Sequence, residues 1–328
     1  MTGNYEKFSV EVIIPVKNGE KYIRDSVGSV LLQTHRNIRV LIVDDGSTDK
    51  TAEICDELAT KHDNVRVYHT ESRGVSAARN HGIEHAEGDF IAFLDVDDYA
   101  ARSCYETLLR NAMENDCEIS ACGYFRTPDR NFDMRSEGTV RTTVFDDVKK
   151  ALENMVNDTD SIEGFVWNKI YRTNSIKDLR FGYYKFCEDC IFSWDAVCSV
   201  KKICFTTEKL IYYFTSYKIY KPTEDGVRSY ACMIERAKIL GLSEQTQYTL
   251  RDGYVHQIVF MARNIALYKG KDKTITKERA RELLDGSDHK RLHLTFSKKV
   301  RIFWLRHWWF AYKLLEKFIY MTKRGKSE

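Results

Sequence analysis

Four short, largely apolar runs punctuate the first hundred residues: Val10–Pro15, Ile38–Val43, Val65–Tyr68 and Phe90–Leu94. Segments with helical spacing separate them, at Gly19–Gln33, near Lys50–Thr60 and at Val75–Ala86. Apolar runs that do not alternate with polar residues suit strands covered on both faces, and each intervening segment is long enough for a crossover helix. The pattern predicts an α/β fold, a doubly wound, mainly parallel sheet flanked by helices with right-handed crossovers. Sheets of this kind bind ligands at the carboxyl ends of their strands. Those ends are Pro15-Val16-Lys17-Asn18, Asp44-Asp45-Gly46-Ser47 and Asp95-Val96-Asp97-Asp98. Two of the three are carboxylate clusters.

The middle of the chain reads as a helix (101–114), a strand (118–125), a polar hairpin containing Pro128 and a shorter α/β run that ends in a strand at 210–214. Past Pro222 the strand pattern stops and helices take over, which sets a boundary between 216 and 226. With 328 residues, 43% hydrophobic and 30% charged, the chain has ample material for a core and is not a disordered polymer. A net charge of +3 gives no global case for nucleic-acid binding. No apolar stretch reaches the length of a membrane span, and the first residues hold no apolar leader, so an intracellular chain is expected. Nine irregularly spaced cysteines fit reduced thiols, and the lone Cys187/Cys190 pair reads the same way rather than as a zinc site.

The near-neutral total hides a division. Residues 291–328 hold ten Lys/Arg and two acids, a local +8, so the other 290 residues carry −5. That tail also bears Trp304, Trp308 and Trp309. Lys299, Arg306 and Lys313 share one helical face, with Val300, Phe303, Trp304, Ala311, Leu315, Phe318 and Ile319 largely on another. The segment reads as a basic amphipathic helix on an anionic membrane surface. The alternative is a helix that packs on protein and turns a basic face to solvent.

The acids carry the chemistry. Asp95, Asp97 and Asp98 follow a buried strand, and three carboxylates in four residues repel one another unless a cation or donors compensate. Hard oxygen ligands that leave room for phosphate suit Mg²⁺ or Mn²⁺; the alternative is a helix N-cap cluster. Asp44-Asp45-Gly46-Ser47-Thr48-Asp49 offers either a carboxylate for a base or ribose, or a turn and cap. Arg79 suits a phosphate or a helix-surface salt bridge. Glu188-Asp189 is either a helix start or the source of a general base.

In order along the chain, Val12-Ile13-Ile14-Pro15-Val16-Lys17-Asn18, Val43-Asp44-Asp45-Gly46-Ser47-Thr48-Asp49, Gly74-Val75-Ser76-Ala77-Ala78-Arg79-Asn80 and Phe93-Leu94-Asp95-Val96-Asp97-Asp98 resemble the family 2 nucleotide-sugar glycosyltransferases of the GT-A fold, of the bacterial polysaccharide type. Val166-Trp167-Asn168-Lys169-Ile170-Tyr171 and Glu188-Asp189 resemble that family's later segments, so the likeness covers residues 9–215. It implies a catalytic domain over 1–220, a helical acceptor-side or packing region over 221–290 and the basic helix over 291–328. It implies a nucleotide pocket lined by Pro15, Val16 and Asp45, with Asp45 on the base. Asp95 and Asp97 match the DxD motif, with Asp97 the direct metal ligand, Asp95 and the diphosphate beside it, and Asp98 assisting; the cofactor is Mn²⁺ or Mg²⁺. Asp189 matches the catalytic base, and Arg79 a structural or nucleotide-facing position. Lys17 departs from the aromatic residue common there. The segment after Tyr212-Tyr213-Phe214 lacks the family's His or Arg, and Arg73 stands where a small or amide residue is usual. The implied activity is inverting transfer from a nucleoside-diphosphate sugar, a UDP-sugar by family analogy, to a hydroxyl of a glycan or lipid-linked oligosaccharide in cell-surface polysaccharide synthesis, peripheral on the inner face of the membrane. Two alternatives stay open, an inactive nucleotide-sugar-binding partner subunit and a nucleotidyltransferase.

Overall fold

The computed structural model of the chain describes residues 5–127, 139–157, 161–182, 186–214, 219–270, 275–287 and 289–324. They fall into two compact units, Met1–Tyr183 with Glu188–Phe214, and Tyr184–Cys187 with Thr215–Glu328.

The first unit begins with the expected alternation: β1 (Val10–Val16), α1 (Ile23–Leu31), β2 (Ile38–Asp44), α2 (Thr51–Lys61), β3 (Val65–His69), α3 (Val75–His85) and β4 (Phe90–Phe93). The four strands lie parallel in the order β3-β2-β1-β4. Every residue of β1 is buried, as a central strand covered on both faces requires. α1 turns Ile23, Val27 and Val30 onto the sheet, and Cys55 and Leu58 of α2 join the same core. Crossovers running back over the sheet leave the carboxyl ends of β1, β2 and β4 together at one edge, with Pro15 opposite Val43 and Val16 opposite Asp44.

The sheet continues through β5 (Tyr99–Ala100), α4 (Cys104–Glu114), β6 (Ile119–Thr127), β7 (Thr142–Phe145), α5 (Val148–Asn157), β8 (Lys169–Arg172), α6 (Thr173–Ile176), α7 (Glu188–Cys198) and β9 (Ile203–Phe214). Beyond β4 it is mixed. β8 runs antiparallel to both β4 and β6, whereas β6 and β9 are parallel. The expected hairpin after β6 does not pair β6 with β7: β7 pairs antiparallel with β9. Pro128 and the rest of the segment joining them lie outside the described residues. β9 is longer than expected because Ile203, Cys204 and Phe205 add a buried stretch ahead of the polar Thr206-Thr207-Glu208-Lys209.

The second unit is helical: α8 (Asp225–Leu240), α9 (Glu244–Leu267), α10 (Lys277–Asp285), α11 (Phe296–His307) and α12 (Trp309–Arg324). Gly241 closes α8 in the left-handed region at φ 62°, the conformation glycine adopts without a Cβ clash. Ser243 and Thr295 cap α9 and α11 by accepting from the backbone N–H groups of Thr246 and Lys298. The single basic helix expected over 291–328 is two helices, because Trp308 leaves helical geometry at φ −134°, ψ 72°. Lys313 is therefore not on one continuous helical face with Lys299 and Arg306. Ile302, Leu305 and Tyr312 pack into a core with Val255, Val259 and Ala262 of α9, so part of the tail does pack on protein. Three of its cations are neutralised within the unit: Lys298 by Asp252, Arg301 by Glu316 and Arg306 by Asp285, at 2.6–2.8 Å. Among the described residues no helix is long and apolar enough to cross a membrane.

Candidate functional site

The turn after β2 shows how the local sequence builds a crevice. Gly46 sits at φ 66°, and a Cβ there would lie 2.9 Å from the backbone nitrogen of Ser72, so only glycine lets the two loops meet. Asp45 is buried, its N–H donates to the Val16 carbonyl at 2.8 Å, and its carboxylate accepts the N–H groups of Arg73 at 2.7 Å and Gly74 at 3.0 Å. The Lys17 ammonium lies 4.0 Å from this carboxylate and donates to Ser72 Oγ. Asp45 thus holds the entry to α3 against the end of β1. The Arg73 guanidinium is exposed and pairs with Glu71. Asp49 accepts from Thr51 N–H at 3.0 Å in a turn just ahead of α2; it does not cap that helix, whose N-cap position is Lys50.

The acids after β4 are not a helix cap. α4 begins only at Cys104, behind β5. Asp98 is buried and accepts the Phe214 N–H at 3.0 Å, which ties the turn to the end of β9. Asp97 is half-buried in the same turn. Asp95 Oδ1 accepts from Arg79 at 2.8 Å.

Arg79 organises the centre. It is 3% exposed, one guanidinium nitrogen donating to Asp95 and another to Glu188 Oε1, each at 2.8 Å. Its face lies over the Phe181 ring at 5.2 Å. Phe181 stacks on Phe192 of α7 at 3.9 Å, and Asn80 pins Phe181 by accepting its N–H and donating to its carbonyl. Burial works against the charge of Arg79, but Asp95, Glu188 and Asp189 outweigh it and hold its pKa above the ordinary range. Neither a surface salt bridge nor an exposed phosphate ligand describes this residue.

Glu188 and Asp189 occupy the first turn of α7, so they do start a helix, but they are not equivalent. Glu188 is taken by Arg79. Asp189 Oδ1 accepts the adjoining Cys190 N–H at 2.9 Å. Burial, then the neighbouring Glu188 charge, push its pKa up to about 7, against the pull of Arg79. A carboxyl group poised near neutrality is matched to proton abstraction.

The Asp95-to-Asp98 turn offers only carboxylate oxygens as side-chain donors, the hard type that suits Mg²⁺ or Mn²⁺. Asp95, Asp97 and Asp98 do not converge as a closed three-ligand cage among the described residues. A hard cation that takes one or two carboxylates from protein and the rest from phosphate and water needs no such cage. The segment 215–218, which follows Tyr212-Tyr213-Phe214, lies outside the described residues.

Two features escaped sequence reasoning. Glu188 is separated from its partner Arg79 by 109 residues, and no local pattern joins them. Lys169 is fully buried, and its ammonium donates to the carbonyls of Glu163 and Phe165 and to Asn168 Oδ1. Burial lowers its pKa to about 7. It fastens the 163–168 segment to β8.

Comparison with known proteins points one way. A family model described as glycosyl transferase family 2 matches residues 11–180. The chain is 31% identical over 219 residues to the glycosyltransferase GlyA of Streptococcus pneumoniae, covering 65% of this chain and 30% of that protein. It is 32% identical over 213 residues to the putative glycosyltransferase EpsH of Bacillus subtilis, covering 62% and 60%. The chain thus spans less than two thirds of the length of both relatives. Among solved structures, S. aureus TarS 1-349 in complex with UDP-GlcNAc superposes with a TM-score of 0.59 at 20% identity, over 96% of this chain and 92% of that one. The mannosyltransferase PcManGT of Pyrobaculum calidifontis, in complex with GDP-Man and Mn²⁺, superposes at 0.52 and 16% identity, over 96% and 88%. These likenesses identify the fold as GT-A, a large central sheet flanked by helices.

Proposed function

Because the chain belongs to glycosyl transferase family 2, we propose that it moves a sugar, with inversion, from a nucleoside diphosphate to a hydroxyl group of a glycan or lipid-linked oligosaccharide. The observation that carries this reading is the Arg79 bridge, which joins the strand-end acid Asp95 to the acid pair opening α7. Two tasks of sugar transfer are thereby linked in one network. The bond between the anomeric carbon and the diphosphate oxygen breaks, and that oxygen keeps the electron pair. The acceptor oxygen forms the new bond from the opposite face and loses its proton, which Asp189 takes on its carboxylate. Pro15, Val16 and Asp45 line the nucleotide side. Asp45 has lone pairs left for a base N–H beyond the two backbone donors it holds. Asp97, with Asp95, would hold Mn²⁺ or Mg²⁺, which when bound supplies positive charge to the leaving diphosphate. Uridine is the base we favour, in keeping with the TarS complexes. Arg79 acts as a positioning residue.

The donor half is tested by Asp97→Ala. Isothermal titration with UDP-sugars in Mn²⁺ is expected to show affinity falling at least about tenfold, and the Mn²⁺ dependence should disappear. Unchanged affinity with metal present would remove Asp97 from the site.

Cell-surface polysaccharide synthesis on a lipid carrier requires the enzyme to work at a membrane surface, and one face of the helical unit favours this. Phe310, Leu314, Phe318 and Met321 form a stripe along α12 and are 54–75% exposed, beside exposed Lys313 and Lys317. Phe303 and Trp308 add to it at 50% and 63%. Exposed aromatics flanked by lysines suit the headgroup region of an anionic bilayer. Full-length protein is expected to pellet with phosphatidylglycerol vesicles, and a Phe310→Glu/Phe318→Glu variant to stay in the supernatant. Equal pelleting of both would refute membrane contact through α12.

A further inference from the structure

One turn beyond Arg79, the solvent side of α3 carries a group of ligating side chains that sugar transfer does not use. His81, Glu84 and His85 each offer a ligand atom, and the three atoms lie within 4.8 Å of one another. The spacing i, i+3, i+4 brings them to one face of the helix. His85 Nδ1 donates to the His81 carbonyl at 2.8 Å, which fixes the ring and leaves Nε2 as the lone-pair nitrogen. His81 Nε2 is buried and has no hydrogen-bond partner. The two imidazoles stack at 4.1 Å, and the Tyr68 ring packs on both, at 4.9 Å from His81 and 4.6 Å from His85. Glu84 is held by Arg180 at 3.3 Å, an exposed pair of the kind that exchanges partners at little cost. An open cavity of about 560 Å³ adjoins the group, lined in part by His81, Glu84, Asn80 and Arg180.

We propose that His81, Glu84 and His85 form a transition-metal site, for Zn²⁺ or a similar borderline cation, separate from the hard-cation site at Asp97. Two imidazoles and one carboxylate are a zinc-type donor set, and a fourth position is left for water. Ligand atoms on one such ion stand roughly 3.3 Å apart, given metal–nitrogen bonds of about 2.0 Å. Rotation of the exposed Glu84 side chain, with small shifts of the two half-buried imidazoles, closes the site from its present spacing. Two stacked imidazoles with an unsatisfied buried nitrogen gain a shared partner in the ion.

The test is a Co²⁺ titration of the full-length protein followed by visible absorption. One equivalent should give the intense d–d bands of a four-coordinate ion, without the near-ultraviolet charge-transfer band of a thiolate, and Zn²⁺ should displace it. The bands should vanish in His85→Ala and weaken in Glu84→Gln. Glu84 is exposed, so its variant remains informative even where the His85 variant fails to fold. An absence of four-coordinate bands in folded wild-type protein overturns the proposal. So does a spectrum unchanged in both variants, or one dominated by a thiolate band, which would assign the metal to the cysteines.

Discussion

Asp189→Asn is expected to lower sugar transfer by about 10²–10⁴-fold, the usual contribution of a positioned general base, while UDP-sugar affinity stays near the wild-type value. Amide and carboxylate have the same shape, so what is lost is the proton acceptor. The pH dependence is the sharper half of the result. With the Asp189 pKa near 7, wild-type kcat/KM should fall as pH drops through about 7, because the base becomes protonated in the free enzyme. Folding stability should move in the opposite sense. A carboxyl group whose pKa rises on folding, here from 3.8 to about 7, favours the folded state at low pH and loses that contribution as pH climbs through about 7. The ligand-free Asn variant should therefore melt above wild type at pH 8, and the gap should close toward pH 4. Retained turnover at pH 8 would remove Asp189 as the base. Loss of turnover without any pH-dependent gain in Tm would show that folding does not raise the Asp189 pKa.

Arg79→Met should have the largest effect on stability. The side chain is of similar length and suits an apolar setting, but it leaves Asp95 and Glu188 without their common cation. Removing one member of a buried ion network costs about 3–5 kcal/mol, chiefly because the remaining charges stay desolvated. Arg79→Lys should recover only part of this. One ammonium does not reproduce a planar fork that reaches two carboxylates with separate nitrogens. Urea denaturation measures the loss directly. A double variant, Arg79→Met/Glu188→Gln, should recover stability relative to Arg79→Met alone, since it removes one orphaned charge. A single variant as stable as wild type would make the bridge an incidental contact.

The strand-end acids were legible because their signal is local: an apolar run delivers them, and the run's length sets the strand. The same locality left the choice between a cap and a ligand turn open. Only the position of α4, starting six residues after Asp98, decides it. Arg79 illustrates the opposite case. Its neighbours in sequence describe a helix start, and its partners lie 16 and 109 residues away, so no spacing rule reaches them. Glu188 and Asp189 are adjacent and chemically alike, yet Glu188 is paired with Arg79, while burial and the Glu188 charge raise the pKa of Asp189. In the tail, helical periodicity runs through Trp308 without interruption, so the break there was invisible. The periodicity showed that an apolar face exists, but not that the tail carries two, one spent on α9 and one exposed.

The 109-residue reach of Arg79 also bears on how the protein comes into being. During synthesis α3 and β4 leave the ribosome well before Glu188 does. For that interval the arginine has Asp95 alone, and the later half of its compensation is still inside the tunnel. Contacts of such long separation close late in folding. The family match ends at residue 180, eight residues short of Glu188. A nascent chain of that length holds the first parallel strands and the loops at their carboxyl ends, but its central arginine waits for the helix that follows. The acid that completes the bridge and the proposed base beside it are synthesised consecutively, so the event that completes the compensation of Arg79 also brings in the proposed base.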